Sequence, residues 1–211
     1  MPDAATCSVA PGWTRFDRVD AGGTTSRHVA GGALTLNATD LPPSCQPPSS
    51  ACPTGVVYIT QGGLVQGDFD ATVTFESFQG TGPGGAAGLV ISIVGFGDAY
   101  AFIRQTDAPE LEVVVTGMGT SIVPTSVLSG TLRVARSGGM LTATATAGTS
   151  TVELAGTVPA SAALTTLAEL GIFNRSDAAT PGETSIRFTD FAFTGGGTEI
   201  LSDTFDCDSV P

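Results

Sequence analysis

The sequence predicts an all-β protein: one two-sheet antiparallel β-sandwich of the jelly-roll type, a single domain over residues 1–211. Three observations carry that expectation. Apolar side chains recur with period two along most of the chain rather than with the 3.6 of a helix. Strand-like runs alternate with turn signals rich in Gly, Pro and Asp. A chain of 211 residues with 41% apolar content also buries enough surface for one core without a metal or cofactor.

In chain order, Phe69, Ala71, Val73 and Phe75 alternate with Asp70, Thr72, Thr74 and Glu76, a strand with one buried face. Leu89, Ile91 and Ile93 lie in a run that is apolar on both faces. Tyr100, Phe102 and Arg104 alternate with Ala101 and Ile103, and Leu111, Val113 and Val115 with Glu112, Val114 and Thr116. Leu132 and Val134 face away from Arg133, and Leu141, Ala143, Ala145 and Ala147 alternate with Thr142, Thr144 and Thr146. Near the end, Ile186, Phe188 and Asp190 are expected on one face, with Arg187, Thr189 and Phe191 on the other. Turns fall at residues 80–85 (GTGPGG), 106–109 (TDAP), 137–139 (SGG) and 195–197 (GGG). One segment departs from the pattern. At residues 161–170 (SAALTTLAEL), Leu164, Leu167 and Leu170 are three apart, with Ser161 as a candidate N-cap, which predicts at most one short helix.

Charge excludes several functions. Twenty acidic residues oppose eight basic ones, all arginine, for a net charge of −12. Such a chain lacks the basic face of a nucleic-acid binder and the attraction needed to dock on anionic lipid. The longest apolar run, residues 88–96, is too short to cross a bilayer, so no membrane insertion is expected. The single histidine, His28, has no Gly-x-Ser-x-Gly elbow to work with and reads as a structural residue. The GTGPGG run lacks the lysine of a phosphate loop and reads as a connection between strands.

The four cysteines, Cys7, Cys45, Cys52 and Cys207, form no C-x-x-C motif and allow three pairings. Cys45 and Cys52 flank a short Pro-rich loop and are expected to close it, leaving Cys7 with Cys207. A bridge over nearly the whole chain would contribute about 4–5 kcal/mol in the chain-entropy model. Disulfides imply an oxidising compartment, so the protein is expected to be extracellular or at the cell surface, with its signal peptide removed.

Candidate chemistry lies on the polar strand faces. Asp70, Glu76, Tyr100, Arg104, Glu112 and Arg133 supply the carboxylates, guanidinium groups and aromatic ring that recognise sugar hydroxyls, against the plainer reading of a solvated sheet face. Glu110 and Glu112, roughly 7 Å apart on one strand face, suit a glycosidase pair, against the plainer reading of two solvated residues. Oxygen clusters that a calcium ion would need occur at Asp203, Asp206 and Asp208, at Asp17 with Asp20, and at Asp68 with Asp70.

The order of motifs resembles the concanavalin A-like lectin/glucanase jelly roll in its bacterial laminin-G-like branch. The resemblance rests on residues 11–13 (PGW), 31–36 (GGALTL), 67–73 (GDFDATV), 87–91 (AGLVI), 100–104 (YAFIR), 130–139 (GTLRVARSGG) and 186–191 (IRFTDF). It implies the fold, a structural calcium, and a choice among lectins, adhesion modules, hydrolases and structural domains. The Glu-x-Asp-x-(x)-Glu strand of the glucanase side has no match. Residues 201–211 (LSDTFDCDSVP) resemble the family's opening strand, with a shorter echo at residues 5–13 (ATCSVAPGW). The two end strands are therefore expected to pair with each other, clamped by Cys7 and Cys207, or else to join copies head to tail by strand addition.

The function expected from all this is a secreted non-catalytic carbohydrate-binding or adhesion module whose partner is a glycan or cell-surface polysaccharide. The alternatives are a self-assembling structural or fibre protein without a small ligand, and a divergent glycoside hydrolase or lyase.

Overall fold

Two antiparallel sheets face each other in the computed structural model, which describes residues 13–17, 24–40, 56–60, 67–93, 96–158, 166–174, 182–195 and 198–203. The first sheet has seven strands in the order β1 (Trp13–Asp17), β4 (Val56–Thr60), β13 (Thr166–Asn174), β6 (Gly85–Ile93), β7 (Gly97–Gln105), β8 (Pro109–Val115) and β9 (Gly119–Pro124). The second, eight-stranded, runs β12 (Ser150–Thr157), β11 (Met140–Ala147), β10 (Gly130–Ser137), β5 (Phe69–Gly80), β14 (Glu183–Gly195), β3 (Leu34–Thr39) and β2 (Thr24–Val29), with β15 (Thr198–Asp203) also paired to β14. The described residues contain no helix. The all-β sandwich expected from the period-two pattern is the observed fold.

The core forms where the alternating apolar faces meet. Ala87, Leu89, Ile91 and Ile103 from the seven-stranded sheet pack with Ala71, Val73, Leu132, Ala143 and Phe188 from the other, all with no exposed surface. The threonines opposite the alanines of β11 point away from this core and are half-buried. Alternation alone explains these strands: one face is withdrawn from water and the other stays solvated.

Two expectations are corrected. The leucine spacing at residues 161–170 does not give a helix over its second half. Thr166 to Asn174 pairs along its whole length with β6, and Ala168, Leu170 and Ile172 enter the core with period two. Pairing in a central strand outweighs a weak helical spacing; Leu164 lies outside the described residues.

The expected faces of β14 also change. Asp190 has φ 47° and is exposed, while Phe191 is buried with Ile186, Phe188 and Phe193. The register with β5 shifts between Thr189 and Ala192, so a bulge reverses the strand's parity. Asp tolerates the left-handed conformation through its short polar side chain.

The described parts of the two ends pair with other strands. β1 pairs with β4 in one sheet and β15 with β14 in the other. Apart from Trp13 and residues 201–203, the segments that carry the echoed end motif lie outside the described residues, and so do the four cysteines; their expected pairing is therefore not described.

Candidate functional site

Register decides which polar groups can act together. On the outer face of the seven-stranded sheet, away from the core, cross-strand rows run Glu169–Val90–Tyr100–Val114–Thr120, Gly171–Gly88–Phe102–Glu112–Ile122 and Phe173–Ala86–Arg104–Glu110–Pro124. Tyr100, Arg104 and Glu112 are therefore neighbours on β7 and β8. Asp70, Glu76 and Arg133 stand on the outer face of the other sheet. The six candidate sugar-binding residues form two groups on opposite sides of the sandwich.

The first group has an apolar floor. Val90, Tyr100, Phe102, Val114 and Phe173 form a second buried cluster, separate from the inter-sheet core. The Tyr100 and Phe102 rings lie 5.4 Å apart and the Phe102 and Phe173 rings 5.2 Å. Gly88 makes this possible: a Cβ there would overlap the Ala101 carbonyl oxygen and the Phe102 ring and come within 2.9 Å of the Phe102 Cα. Tyr100 donates its hydroxyl hydrogen to Asp98 Oδ2 at 2.8 Å. Its ring is fully buried, so it offers no stacking platform, a correction to its expected sugar-binding role.

At the edge of this floor sits an ionic group. Arg104 donates from Nε at 3.0 Å and from Nη2 at 2.8 Å to one oxygen of Glu110. Its Nη1 stands 3.3 Å from Glu112 Oε2. Glu112 is enclosed, with 2% of its side chain exposed, whereas Arg104 and Glu110 retain 20% and 24%. Glu110 and Glu112 are thus neither two solvated carboxylates nor an open glycosidase pair. One reaches solvent, and the other is a buried countercharge on the arginine between them.

The second group is planar and exposed. Arg133 donates to Asp70 from Nε at 2.9 Å and from Nη2 at 2.6 Å. The Asp70 hydrogen bond raises the Arg133 pKa, partial burial opposes this, and the charges of Asp70 and Glu153 add to the rise. Arg187 pairs with Glu76 on the same face. A shallow pocket of about 290 Å³ opens beside Arg133, lined by Asp68, Asp70, Arg136 and Ser137 among others. Asp68 accepts the Gly138 backbone N–H at 2.8 Å. Asp70 is thus held by Arg133, and Asp68 by a turn amide.

Among the described residues no three His, Cys, Asp or Glu side chains gather to hold a metal ion. Asp206 and Asp208 lie outside those residues, and of Asp203 only the backbone register is described. His28 is exposed on β2. No described helix is long and apolar enough to cross a membrane.

No family model matches the chain, and no curated protein sequence matches it. Solved structures do. A functionally unknown protein from Saccharomyces cerevisiae superposes with TM-score 0.60 at 16% identity, over 87% of this chain and 96% of its own. An alginate lyase from Klebsiella pneumoniae gives 0.59 at 14%, over 89% and 96%. The marine alginate lyase of polysaccharide lyase family 7 from Zobellia galactanivorans gives 0.57 at 12%, over 80% and 79%. The chain has the fold of these lyases. This concanavalin A-like jelly roll agrees with the fold that the sequence motifs resemble. The expectation of a non-catalytic binding or adhesion module is corrected by the same finding, because the polysaccharide-acting structures that share the fold are cleaving enzymes.

Proposed function

We propose that the chain cleaves a polysaccharide, with the outer face of the seven-stranded sheet as the active face. One observation carries this reading: Arg104 is fixed between a solvent-reaching Glu110 and an enclosed Glu112. Glycosidic-bond cleavage needs a group that moves a proton at the scissile oxygen or the sugar ring, and donors that hold the sugar in place. Glu110 is the proton-transfer group in this reading, and Arg104 the donor to substrate oxygens. Glu112 keeps the guanidinium positioned. The fold shared with alginate lyases supports a polymeric sugar as substrate, and the oxidising compartment expected from the cysteines suits an enzyme that meets such polymers outside the cell.

The test is incubation with neutral, anionic and amino-sugar polysaccharides, following both new reducing ends and the ultraviolet absorbance of unsaturated ends. Reducing ends alone indicate hydrolysis, and both signals indicate elimination. Glu110→Gln is expected to lower turnover by 10²-fold or more, in the range for loss of a positioned acid or base. Glu112→Gln is expected to act more weakly, through Arg104. No product from any polymer, or full activity in Glu110→Gln, would overturn the reading.

A further inference from the structure

A sheet edge presents unpaired backbone N–H and C=O groups, and proteins guard such edges with charged side chains. The described edges here follow that rule with one exception. β1 carries Arg15 and Asp17, β2 carries Arg27, β12 carries Glu153 and β15 carries Glu199 and Asp203. β9, the edge of the seven-stranded sheet next to the candidate active face, reads GTSIVP and carries none.

This uncharged strand, closed at its end by Pro124, whose carbonyl accepts the Ser150 hydroxyl at 3.1 Å, lies within a longer neutral stretch. Residues 113–132 contain no charged side chain in a chain of net charge −12. Ile122 on β9 is 44% exposed, and Val127 and Leu128 in the connection that follows are 37% and 39% exposed. Three of the four large apolar side chains exposed among the described residues therefore fall on β9 or in the connection that follows it. Two strongly negative copies repel each other over most of their surface, and this neutral, apolar edge is where they can meet without that cost.

We propose that β9 is a self-association edge, at which two copies join their seven-stranded sheets by antiparallel β9–β9 pairing about a two-fold axis. A two-fold contact is self-complementary, so one uncharged strand serves both partners. Ile122 stands opposite Glu112 on β8, so the joined sheets bring the two candidate active faces edge to edge. Only that last consequence rests on the proposed function.

Sedimentation velocity over a wide concentration range tests the pairing. The wild-type chain is expected to pass from monomer to dimer. Ile122→Lys and Thr120→Glu place charges of opposite sign on exposed β9 positions, and each is expected to weaken the dimer by about tenfold or more. Thr151→Glu puts the same charge on β12 and is expected to leave the dimer intact. Circular dichroism melts confirm that each variant folds. A wild-type chain that stays monomeric throughout would overturn the proposal. So would a dimer that survives both β9 variants, or one that Thr151→Glu abolishes equally.

Discussion

Arg104 Nη1 stands 3.3 Å from the enclosed Glu112 carboxylate on the neighbouring strand, a buried ion pair between β7 and β8. Removing one partner of a buried ion pair costs more than replacing both, because the survivor keeps its desolvation penalty without compensation. Arg104→Met is therefore expected to lower stability by about 3 kcal/mol. Adding Glu112→Leu should recover part of that loss. Denaturant midpoints of the two single variants and the double variant form the cycle that checks this.

Gly88 is required by the ring packed against it. A methyl group there meets the backbone carbonyl oxygen of Ala101, which cannot rotate away, as well as the Phe102 ring. Gly88→Ala is expected to destabilise by about 1–3 kcal/mol through overpacking, although alanine favours a strand no less than glycine does. Thermal unfolding followed by circular dichroism would show it.

The bulge in β14 makes a separate prediction. Asp190 sits at φ 47° and exposed, so its conformation rather than any packing restricts the residue type. Asp190→Gly should be close to neutral, whereas Asp190→Val should cost about 1–2 kcal/mol. Equal effects from the two in a chemical melt would show that the backbone conformation is not what the position selects.

The same bulge marks where the sequence stopped being legible. Alternation on β5, β10 and β11 is a local consequence of one buried face, so Val73, Leu132 and Ala143 were assigned to the core directly. Parity across Asp190 depends on one left-handed residue, and no period reveals that. The leucines at 161–170 are spaced for a helix rather than for a strand, and only the pairing of β13 with β6 overrides that spacing. The candidate sugar-binding residues split for a similar reason. Each was placed correctly on the outer side of its own strand, but which sheet holds β10 and which holds β7 is a matter of long-range pairing. The enclosure of Glu112 and Tyr100 on an outer face had no signal in a pattern that looks alike for solvated and covered faces.

The Asp70–Arg133 pair is well aligned but exposed, with 40% and 48% of the two side chains accessible. Water screens such a pair, and Arg133→Gln is expected to change stability by about 1 kcal/mol or less. The pH dependence follows from the direction of the Arg133 shift. A cation whose pKa is raised on folding contributes its stabilisation below the ordinary arginine value and loses it only as pH climbs through the raised one. From neutral pH up to the ordinary arginine value, the difference in melting temperature between Arg133→Gln and wild type should therefore stay constant. A difference that shrinks at mildly alkaline pH would contradict this.

Net charge makes a kinetic prediction about the substrate. A chain of net charge −12 without a single lysine repels a polyanionic polymer before any contact forms, and the one arginine on the described part of the active face is already held by Glu110 and Glu112. Raising salt from about 0.01 M to about 0.15 M shortens the screening length from roughly 30 Å to roughly 8 Å. On an anionic polysaccharide kcat/KM should then rise several-fold, on a neutral one it should stay level, and on a cationic one it should fall. Initial rates at limiting substrate across that salt series distinguish the three cases. A fall in kcat/KM on the anionic polymer would mean that a local positive field near Arg104 outweighs the charge of the whole chain. The guanidinium would then have to be released from Glu110 when substrate binds, and Glu110→Gln would increase affinity for that polymer while lowering its turnover.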